Sequence, residues 1–245
     1  MKVILVGALG RMGAQVAAAL ARHHHEVAVS VDIGYETSGN GCYRSVTEVT
    51  ERADVIVDFS YHGITPAVVG YAAEKGIPAV IATTGHNEEE RCAIQRAAEK
   101  AAIFYSGNMS VGIATLCEAV RRVVAAFPEA DVEIVETHHN RKLDAPSGTA
   151  LMLFDAVREE RPEATPLCGR SGQAKRTANE VGVSSLRMGN IVGVHEVMIA
   201  TDHERITLKH EAFDRSLFAD GAVRAAEFLA SRQPGLYTMK ELLKG

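Results

Sequence analysis

The sequence has no apolar run that approaches the ~20 residues needed for a membrane-spanning helix. It also has no excess of positive charge, because 26 lysines and arginines stand against 31 acidic residues and give a net charge of −5 at pH 7. Nucleic acids and anionic membrane surfaces bind basic patches, so neither is an expected partner. The chain contains no internal repeat and no low-complexity segment. These absences leave a globular protein as the expectation.

Cysteine is scarce, and the 4 cysteines lie far apart in the sequence: Cys42, Cys92, Cys117 and Cys168. Their separations match no zinc-binding pattern. The adjacent His138 and His139 have no third histidine, cysteine or carboxylate at a recognisable ligand spacing, so no metal site is predicted. No signal-peptide cleavage pattern precedes the first apolar strand pattern. We therefore expect reduced thiols in a cytoplasmic protein.

The 245 residues show two kinds of pattern, which meet near residue 110. In the first part, strand patterns alternate with helical patterns. The strands are predicted at 2–6, 26–32, 53–59, 79–82 and 101–105, and the helices at 14–21, 65–75 and 88–100. Such alternation is typical of an α/β protein with a Rossmann-like, doubly wound parallel sheet.

Beyond residue 110 the alternation gives way to a run of strands. Helical patterns cover 111–126 and 150–160, and strand patterns cover 131–137, 180–187, 192–200 and 205–211. This run predicts a second, α+β domain with a mostly antiparallel sheet. Residues 161–179 are polar and lack apolar periodicity, which predicts a mobile loop. Helices are predicted again at 218–231 and 239–243.

A glycine-rich turn follows the first predicted strand and opens the first helix: Gly7-Ala8-Leu9-Gly10-Arg11-Met12-Gly13. The second strand ends in an acid, Asp32. This order is the context of a dinucleotide site, although the spacing differs from the usual Gly-x-Gly-x-x-Gly. The glycines let the backbone approach a pyrophosphate, and the helix N-terminus supplies N–H donors. The alternatives are a tight turn in another α/β protein and, for Arg11, a solvated arginine rather than a phosphate ligand.

Asp32 is expected to accept hydrogen bonds from the adenosine ribose hydroxyls. Its carboxylate repels a 2′-phosphate, and the next residue, Ile33, brings no positive charge to offset that repulsion, so NADH is favoured over NADPH. The turns at 83–85 and 106–109 follow strands of the same predicted sheet, which places them at the edge where a nicotinamide would lie. For Thr83-Thr84-Gly85 an ordinary turn with a helix N-cap is the alternative.

A polar stretch joins the strand near 131–137 to the helix near 150: His138-His139-Asn140-Arg141-Lys142-Leu143-Asp144-Ala145-Pro146-Ser147-Gly148-Thr149. Arg141 and Lys142 can hold an anion, and the N–H groups of a helix start suit a carboxylate. Histidines exchange protons near neutral pH. Together these residues predict an active site for hydride transfer from a nicotinamide cofactor to a dianionic small molecule.

Structural explanations remain open for each of these residues. Adjacent histidines on a strand point to opposite faces, so at least one of the two is expected to be structural or solvated. Ser147 is of the residue type that most often serves as a helix N-cap. Lys142 taken alone is more typical of an exposed surface lysine.

The segment from Glu133 to Ala150 closely resembles the signature of the 4-hydroxy-tetrahydrodipicolinate reductase (dihydrodipicolinate reductase) family of bacterial lysine biosynthesis. The resemblance extends over nearly the whole chain, through residues 10–13, 58–60, 83–85, 108–112, 187–195 and 218–224. It implies NADH- or NADPH-dependent reduction of 4-hydroxy-tetrahydrodipicolinate to tetrahydrodipicolinate, with loss of water, in the diaminopimelate route to lysine. The alternatives are a related NAD-dependent dehydrogenase of a small amino or keto acid and an NAD-binding redox sensor without turnover.

The resemblance also implies roles for individual residues. His138 would be the proton donor and acceptor and Lys142 the second proton donor. The substrate carboxylates would be held by His139, Lys142, Ser147, Gly148 and Thr149. The dinucleotide contacts would be Gly7, Ala8, Leu9, Gly10, Arg11, Met12, Asp32, Ala82, Thr83, Thr84, Ser106, Gly107, Asn108 and Met109. Residues 1–109 with 216–245 would form the dinucleotide-binding domain, and residues 110–215 the substrate-binding and oligomerisation domain of a homotetramer.

Overall fold

The computed structural model describes all 245 residues. The chain divides into two compact units, which we call the first unit (Met1–Val111 with Ser216–Gly245) and the second unit (Gly112–Arg215). None of the helices combines the length and the apolar character that crossing a membrane demands. All four cysteines are free.

The regular elements follow one another in this order: β1 (Lys2–Val6), α1 (Arg11–Arg22), β2 (Glu26–Val31), β3 (Cys42–Tyr43), β4 (Val55–Asp58), α2 (Thr65–Lys75), β5 (Ala79–Ile81), α3 (Glu88–Ala98), β6 (Ala102–Tyr105), α4 (Val111–Ala126), β7 (Asp131–His138), α5 (Gly148–Glu160), β8 (Thr165–Cys168), β9 (Glu180–Arg187), β10 (Gly193–Ala200), β11 (Arg205–Ala212), α6 (Ser216–Leu229), β12 (Gly235–Tyr237) and α7 (Met239–Lys244). Two short 3₁₀ helices, Val46–Glu48 and His62–Ile64, lie in the first unit.

The first unit is built on a seven-stranded sheet with the spatial order β12-β6-β5-β4-β1-β2-β3. Every strand pairing in it is parallel. The strand order reverses between β1 and β4, because β2 and β3 continue on one side and β5 and β6 on the other. Ligands of such sheets bind beyond the strand C-termini at this reversal. The predicted α/β class with a doubly wound sheet is confirmed.

Both faces of this sheet are covered, which explains why its strands are continuous apolar runs rather than alternating ones. Ile4, Val6 and Ile56 belong to one buried cluster that also contains Val68 and Ile94 from α2 and α3. Alternate residues of a strand face opposite sides, so Val3 and Leu5 face the other layer. There α1 packs against β1 and β2, and α6 packs against α1 and β4 to β6.

The second unit is a five-stranded sheet with the order β11-β10-β7-β9-β8, covered on one face by helices. Its pairing is antiparallel from β11 through β10 to β7 and parallel from β7 through β9 to β8. The core contains Val120 of α4, Ile134 of β7, Leu153 of α5 and Val197 of β10, each fully buried. The second α+β domain predicted from the sequence is thereby confirmed.

Residues 161–179 were expected to be a mobile loop, and this prediction is wrong for part of the segment. Thr165–Cys168 forms β8, which pairs in parallel with β9 at the edge of the sheet. The strand is mostly exposed and therefore shows no apolar alternation, and Pro166 leaves it without one backbone N–H donor. Such a strand is tolerated only at an edge and gives no periodic signal.

Two further strands of the first unit, β3 and β12, were also missed. They are two and three residues long, too short to show a period. The first helix begins at Arg11 rather than at residue 14, inside the glycine turn itself. The early start is possible because Gly10 serves as the N-cap and Gly13 adds no side chain to the first turn.

Candidate active site

The glycine turn after β1 is packed too tightly for side chains. Gly7 adopts a φ of 82°, which favours glycine, and a Cβ there would lie 2.9 Å from the carbonyl of Phe59. A Cβ on Gly13 would lie 2.2 Å from the Gly7 carbonyl oxygen, and one on Gly10 would lie 3.2 Å from the same oxygen. These three positions therefore exclude any side chain, and such a tight glycine turn is typical of a pyrophosphate-binding loop.

The N-terminus of α1 is open to an anion. Gly10 caps the helix in an extended conformation without any side-chain hydrogen bond, and the first turn contains no acidic residue. The first N–H groups of a helix have no intrahelical partner and carry partial positive charge. Arg11, the first residue of α1, is exposed. This end of the helix can bind a phosphate through both its backbone and its charge.

Asp32 is the first residue after β2 and is fixed by backbone donors. Its carboxylate accepts hydrogen bonds from the Leu9 N–H at 3.0 Å and from the Gly34 N–H at 2.9 Å. The Gly7 N–H donates to the Val31 carbonyl at 2.8 Å, which ties the glycine turn to the end of β2. Asp32 is thus held beside the turn and can still accept hydrogen bonds from a ligand, since a carboxylate has about four acceptor positions.

The parallel sheet brings the other predicted residues of the first unit to the same edge. Ala82 and Thr83 follow β5, and Ser106 follows β6, one strand further along. The Ala82 N–H donates to the Asp58 carbonyl at 3.0 Å, and the Ser106 N–H donates to the Ile81 carbonyl at 3.2 Å. The sequence-predicted turns therefore lie side by side at the carboxyl ends of neighbouring strands.

The side chains in these turns differ in orientation. Thr83 is buried, and its hydroxyl lies 3.1 Å from His86 Nε2, a contact within the turn that stabilises it. Thr84 and Gly107 are exposed. Met109 is 2% exposed, and its carbonyl closely approaches Gly221 of α6, where a Cβ would clash. The side chains of Thr83 and Met109 are therefore largely hidden from a ligand.

In the second unit, a buried acid stands behind His138. Glu136 and His138 are two residues apart on β7 and share its buried face. His138 Nδ1 lies 2.5 Å from Glu136 Oε2, and Glu136 itself is fully buried. Arg187, at the end of β9, donates to both oxygens of Glu136 at 2.8 Å. This bidentate pair compensates the buried carboxylate and fixes its orientation.

The ionisation of Glu136 decides which nitrogen of His138 carries the proton. Burial raises the pKa of Glu136, but hydrogen bonds from Arg187, His138 and Ser185 outweigh it and lower the pKa to about 2. An ionised carboxylate can only accept, so the proton of this contact belongs to His138 Nδ1. His138 Nε2 is then the nitrogen left for proton exchange. It faces Gly193, where an added Cβ would lie 3.1 Å away.

His195 and Ser147 complete this cluster. The two histidine rings of His138 and His195 lie 5.1 Å apart, edge to face, and His195 Nε2 lies 3.2 Å from the Ser147 hydroxyl. Burial, then the neighbouring His138, lowers the pKa of His195 to about 4, so His195 is neutral at physiological pH. Ser147 is the N-cap of α5, accepting from the Ala150 N–H, and its own N–H donates to Glu136. The exposed Gly148 is the first residue of the helix.

Positively charged side chains from two segments of the second unit act on His139. His139 is half-buried, and its pKa is lowered by burial and then by Arg141, Arg215, His138 and Lys142. Lys142 Nζ lies 2.8 Å from Asp144 Oδ1. Three positively charged side chains acting on one imidazole indicate a positive potential that suits a dianionic ligand. The ammonium has three N–H donors, so it can contact such a ligand while it remains paired with Asp144.

Sequence reasoning assigned no role to Glu136, Arg187 or His195. For Glu136 a signal existed, because residues i and i+2 of a strand share a face with one another. Arg187 and His195 lie on other strands, opposite His138 and Glu136, and only the sheet register brings them there. No group of three or more His, Cys, Asp or Glu side chains in the chain has the arrangement to hold a metal ion.

Comparisons with known proteins match this architecture. The family described as "Dihydrodipicolinate reductase, N-terminus" matches residues 1–109, and the one described as "Dihydrodipicolinate reductase, C-terminus" matches residues 112–243. A 4-hydroxy-tetrahydrodipicolinate reductase from Caldanaerobacter subterraneus is 44% identical over 99% of this chain and 98% of its own. One from Natronomonas pharaonis is 38% identical over 98% of this chain and 99% of its own.

Among solved structures, a dipicolinate-bound dihydrodipicolinate reductase from Paenisporosarcina superimposes with a TM-score of 0.82, at 22% identity, over 97% of both chains. An aspartate dehydrogenase from Thermotoga maritima has a TM-score of 0.54 at 13% identity, over 95% of this chain and 98% of that chain. At these identities the likenesses concern the fold. The family matches and the relatives show more: this chain belongs to the dihydrodipicolinate reductase family, NAD(P)H-dependent oxidoreductases that reduce 4-hydroxy-tetrahydrodipicolinate in lysine and diaminopimelate biosynthesis.

Proposed function

We propose that this chain carries out the family's reduction with His138 and Lys142 as its proton-transferring residues. The observation that carries the proposal is the buried Glu136–Arg187 pair, which fixes His138 with its proton on Nδ1. A histidine oriented through one nitrogen is equipped to exchange protons through the other. Glu136 and Arg187 act through His138 and are positioning residues.

In the proposed reaction the substrate loses its hydroxyl and one ring proton, together as water, and gains one hydride and one proton. The reduced nicotinamide supplies the hydride when bound. His138 Nε2 exchanges a proton with the substrate, and Lys142 is the second proton donor. His139, Gly148 and Thr149 hold the carboxylates. For Ser147 the support is weaker, because its hydroxyl already caps α5 and contacts His195.

For the cofactor we propose the edge of the first unit's sheet. Gly7, Ala8, Leu9, Gly10, Arg11 and Met12 would bind the pyrophosphate, and Ala82, Thr83, Thr84, Ser106, Gly107, Asn108 and Met109 the nicotinamide half. The support is the side-chain-free, tightly packed glycine turn and the uncapped N-terminus of α1. Asp32 would bind the adenosine ribose. Because Ile33 is 79% exposed and uncharged, we propose NADH as the preferred cofactor.

We extend the proposal to domain roles and assembly. The first unit would be the dinucleotide-binding domain, and the second unit the domain for substrate binding and for assembly of a cytoplasmic homotetramer. The helix-free face of the second unit's sheet supports assembly, since Val135, Val194 and Met198 are half-exposed on it. Light scattering coupled to gel filtration tests this part, and a monomer at micromolar concentration would contradict it.

The test of the reaction is a coupled assay. A dihydrodipicolinate synthase generates the substrate from pyruvate and aspartate semialdehyde, and the loss of NADH or NADPH absorbance is followed. We expect oxidation that depends on the synthase and a higher kcat/KM with NADH. Oxidation of aspartate with NAD, without oxidation in the coupled assay, would instead indicate an amino-acid dehydrogenase. Nucleotide binding without any turnover would indicate a sensor.

Lys142→Ala separates the catalytic role from a structural one. We expect kcat to fall by about 10²-fold or more, the lower end of what a proton donor contributes. Lys100→Ala removes an exposed lysine of the first unit and is the matched control, which should leave kcat unchanged. Equal rates for both variants would remove Lys142 from the mechanism.

A further inference from the structure

The sequence offers no positive charge beside Asp32, but the fold does. β2 and β3 pair in parallel with Val31 opposite Tyr43, and the Asp32 N–H donates to the Tyr43 carbonyl at 2.9 Å. Asp32 and Arg44 are therefore the first residues beyond two neighbouring strands. Adjacent strands are about 4.8 Å apart, a distance that an arginine side chain easily spans.

The Arg44 guanidinium is turned toward the Asp32 loop. Its Nη1 donates to the carbonyl of Tyr35, three residues after Asp32. The same loop is bound by Asp32 itself, whose carboxylate accepts from the Gly34 N–H. The carboxylate and the guanidinium thus hold two neighbouring backbone groups of one short loop.

Arg44 has an exposed side chain and forms no ion pair with any carboxylate of the chain. The nearby acid Glu48 is occupied by the Ser38 hydroxyl. A guanidinium that contacts only a neutral carbonyl keeps its charge and several of its five donors available. Arginine is also the side chain whose fork matches a phosphate best.

The backbone that presents Arg44 is held in place. Gly39 and Cys42 exchange two backbone hydrogen bonds, of 2.7 and 3.1 Å, and close a tight turn just before β3. The Arg44 N–H donates to the Ser38 hydroxyl at 3.1 Å. The backbone of Arg44 is therefore held in a fixed position by hydrogen bonds.

From this arrangement we propose that Arg44 forms a binding subsite for the 2′-phosphate of NADPH beside Asp32. The proposal rests on the proposed function, in which Asp32 contacts the adenosine ribose. A phosphate on the 2′-oxygen would lie next to the Asp32 carboxylate, and a neighbouring arginine is the usual means of accommodating it. Arg44 would offset the repulsion by Asp32, so that the enzyme uses NADPH as well as NADH.

The test compares two nucleotides that differ only in the 2′-phosphate. NADH and NADPH are titrated into the full chain and binding is followed by nicotinamide fluorescence, for the wild type, Arg44→Ala and Arg44→Lys. We expect Arg44→Ala to weaken NADPH about tenfold or more, as for a lost hydrogen bond to a charged group, and NADH less than twofold. Arg44→Lys should restore part of the affinity for NADPH, since it retains the charge but not the fork.

Two further variants make the result specific. Arg122→Ala removes an exposed arginine of α4 in the second unit and should change neither affinity. Arg11→Ala should weaken both nucleotides to a similar extent, because the pyrophosphate is common to them. Added salt should lower the affinity for NADPH relative to NADH more in the wild type than in Arg44→Ala, because it screens the attraction between Arg44 and the 2′-phosphate. Weaker binding of NADPH alone in Arg11→Ala, with both affinities unchanged in Arg44→Ala, would assign the 2′-phosphate to Arg11 instead.

The binding data stand apart from turnover. A selective loss of NADPH affinity in Arg44→Ala supports the subsite even if the coupled assay shows no reduction, which would refute the reaction alone. Equal losses for both nucleotides, or no change in either, would refute the subsite while leaving a working reductase intact.

Discussion

The two units of this chain build their candidate sites from different material. In the first unit the site consists of backbone: three glycines, an uncapped helix N-terminus and the turns after parallel strands. In the second unit it consists of charged side chains, with a buried carboxylate bonded to an arginine and a histidine. A backbone site is sensitive to any added carbon atom, whereas a side-chain site is sensitive to the loss of one charge.

The largest effect that this contrast predicts is that of a single methyl group in the first unit. Gly13→Ala places a Cβ within 2.2 Å of the Gly7 carbonyl oxygen and 2.6 Å of the Ala8 carbonyl oxygen, and backbone atoms cannot move aside. We expect NADH binding to be lost and Tm to fall. Fluorescence titration and thermal unfolding measure both.

Gly70→Ala is the control for that experiment. Gly70 lies exposed within α2, and an added Cβ would meet no atom within 4 Å. Alanine in a helix interior is favoured over glycine by about 1 kcal/mol, so Tm should rise slightly and binding should persist. If Gly13→Ala bound NADH as well as Gly70→Ala, the tight-turn account of the first unit would be wrong.

The corresponding change in the second unit is the loss of the His138 imidazole. His138→Gln is expected to lower kcat by about 10²–10⁴-fold with little change in affinity for NADH, because a proton donor contributes in the transition state. Single-turnover kinetics and NADH titration measure the two quantities. An unchanged kcat would exclude His138 as the proton donor.

A smaller effect is expected from the one carboxylate of the first unit's site. Asp32→Ala removes the acceptor of the Leu9 and Gly34 N–H groups and the proposed ribose contact. We expect NADH to bind about tenfold more weakly, and NADPH to lose less because the repulsion of its 2′-phosphate disappears as well. Equal weakening of both nucleotides would count against the ribose contact.

The smallest predicted effects concern the dependence of stability on pH. One buried group in each unit contributes to it, and the two contributions have opposite directions. Burial raises the pKa of Asp58 in the first unit to about 6, so between pH 6 and its ordinary value of 3.8 the folded state holds a proton that the unfolded chain lacks. Burial lowers the pKa of His195 from 6.5 to about 4, so in that window the unfolded chain binds the extra proton. Acidification therefore favours the folded state at Asp58 and opposes it at His195.

Urea unfolding at pH 7 and pH 5 measures this difference. The change in the free energy of unfolding from pH 7 to pH 5 is compared with that of the wild type. It should be about 1 kcal/mol less favourable to the folded state in Asp58→Asn and about 1 kcal/mol more favourable in His195→Gln. Shifts of the same sign in both variants would contradict the opposite roles of the two buried groups.

Much of the fold could be predicted because its local signals agree with its tertiary structure. The strands of the first unit are apolar runs buried on both faces, and the strand β7 alternates as a half-buried strand should. What failed were elements without a period, namely β3, β8 and β12, which are short or exposed edge strands. Such strands form because a neighbouring strand pairs with them, and that pairing produces no hydrophobic period in the local sequence.

By itself the sequence determined the αβ alternation, the glycine turn, the position of Asp32 and the cluster of histidines and cations after β7. These are properties of consecutive residues, which chain geometry places together in any fold. Only the tertiary structure decided that Arg187 neutralises Glu136, that His195 lies against His138 and that Arg44 stands beside Asp32. Each of these placements depends on strand register, a product of packing between segments of the chain that are separated in sequence.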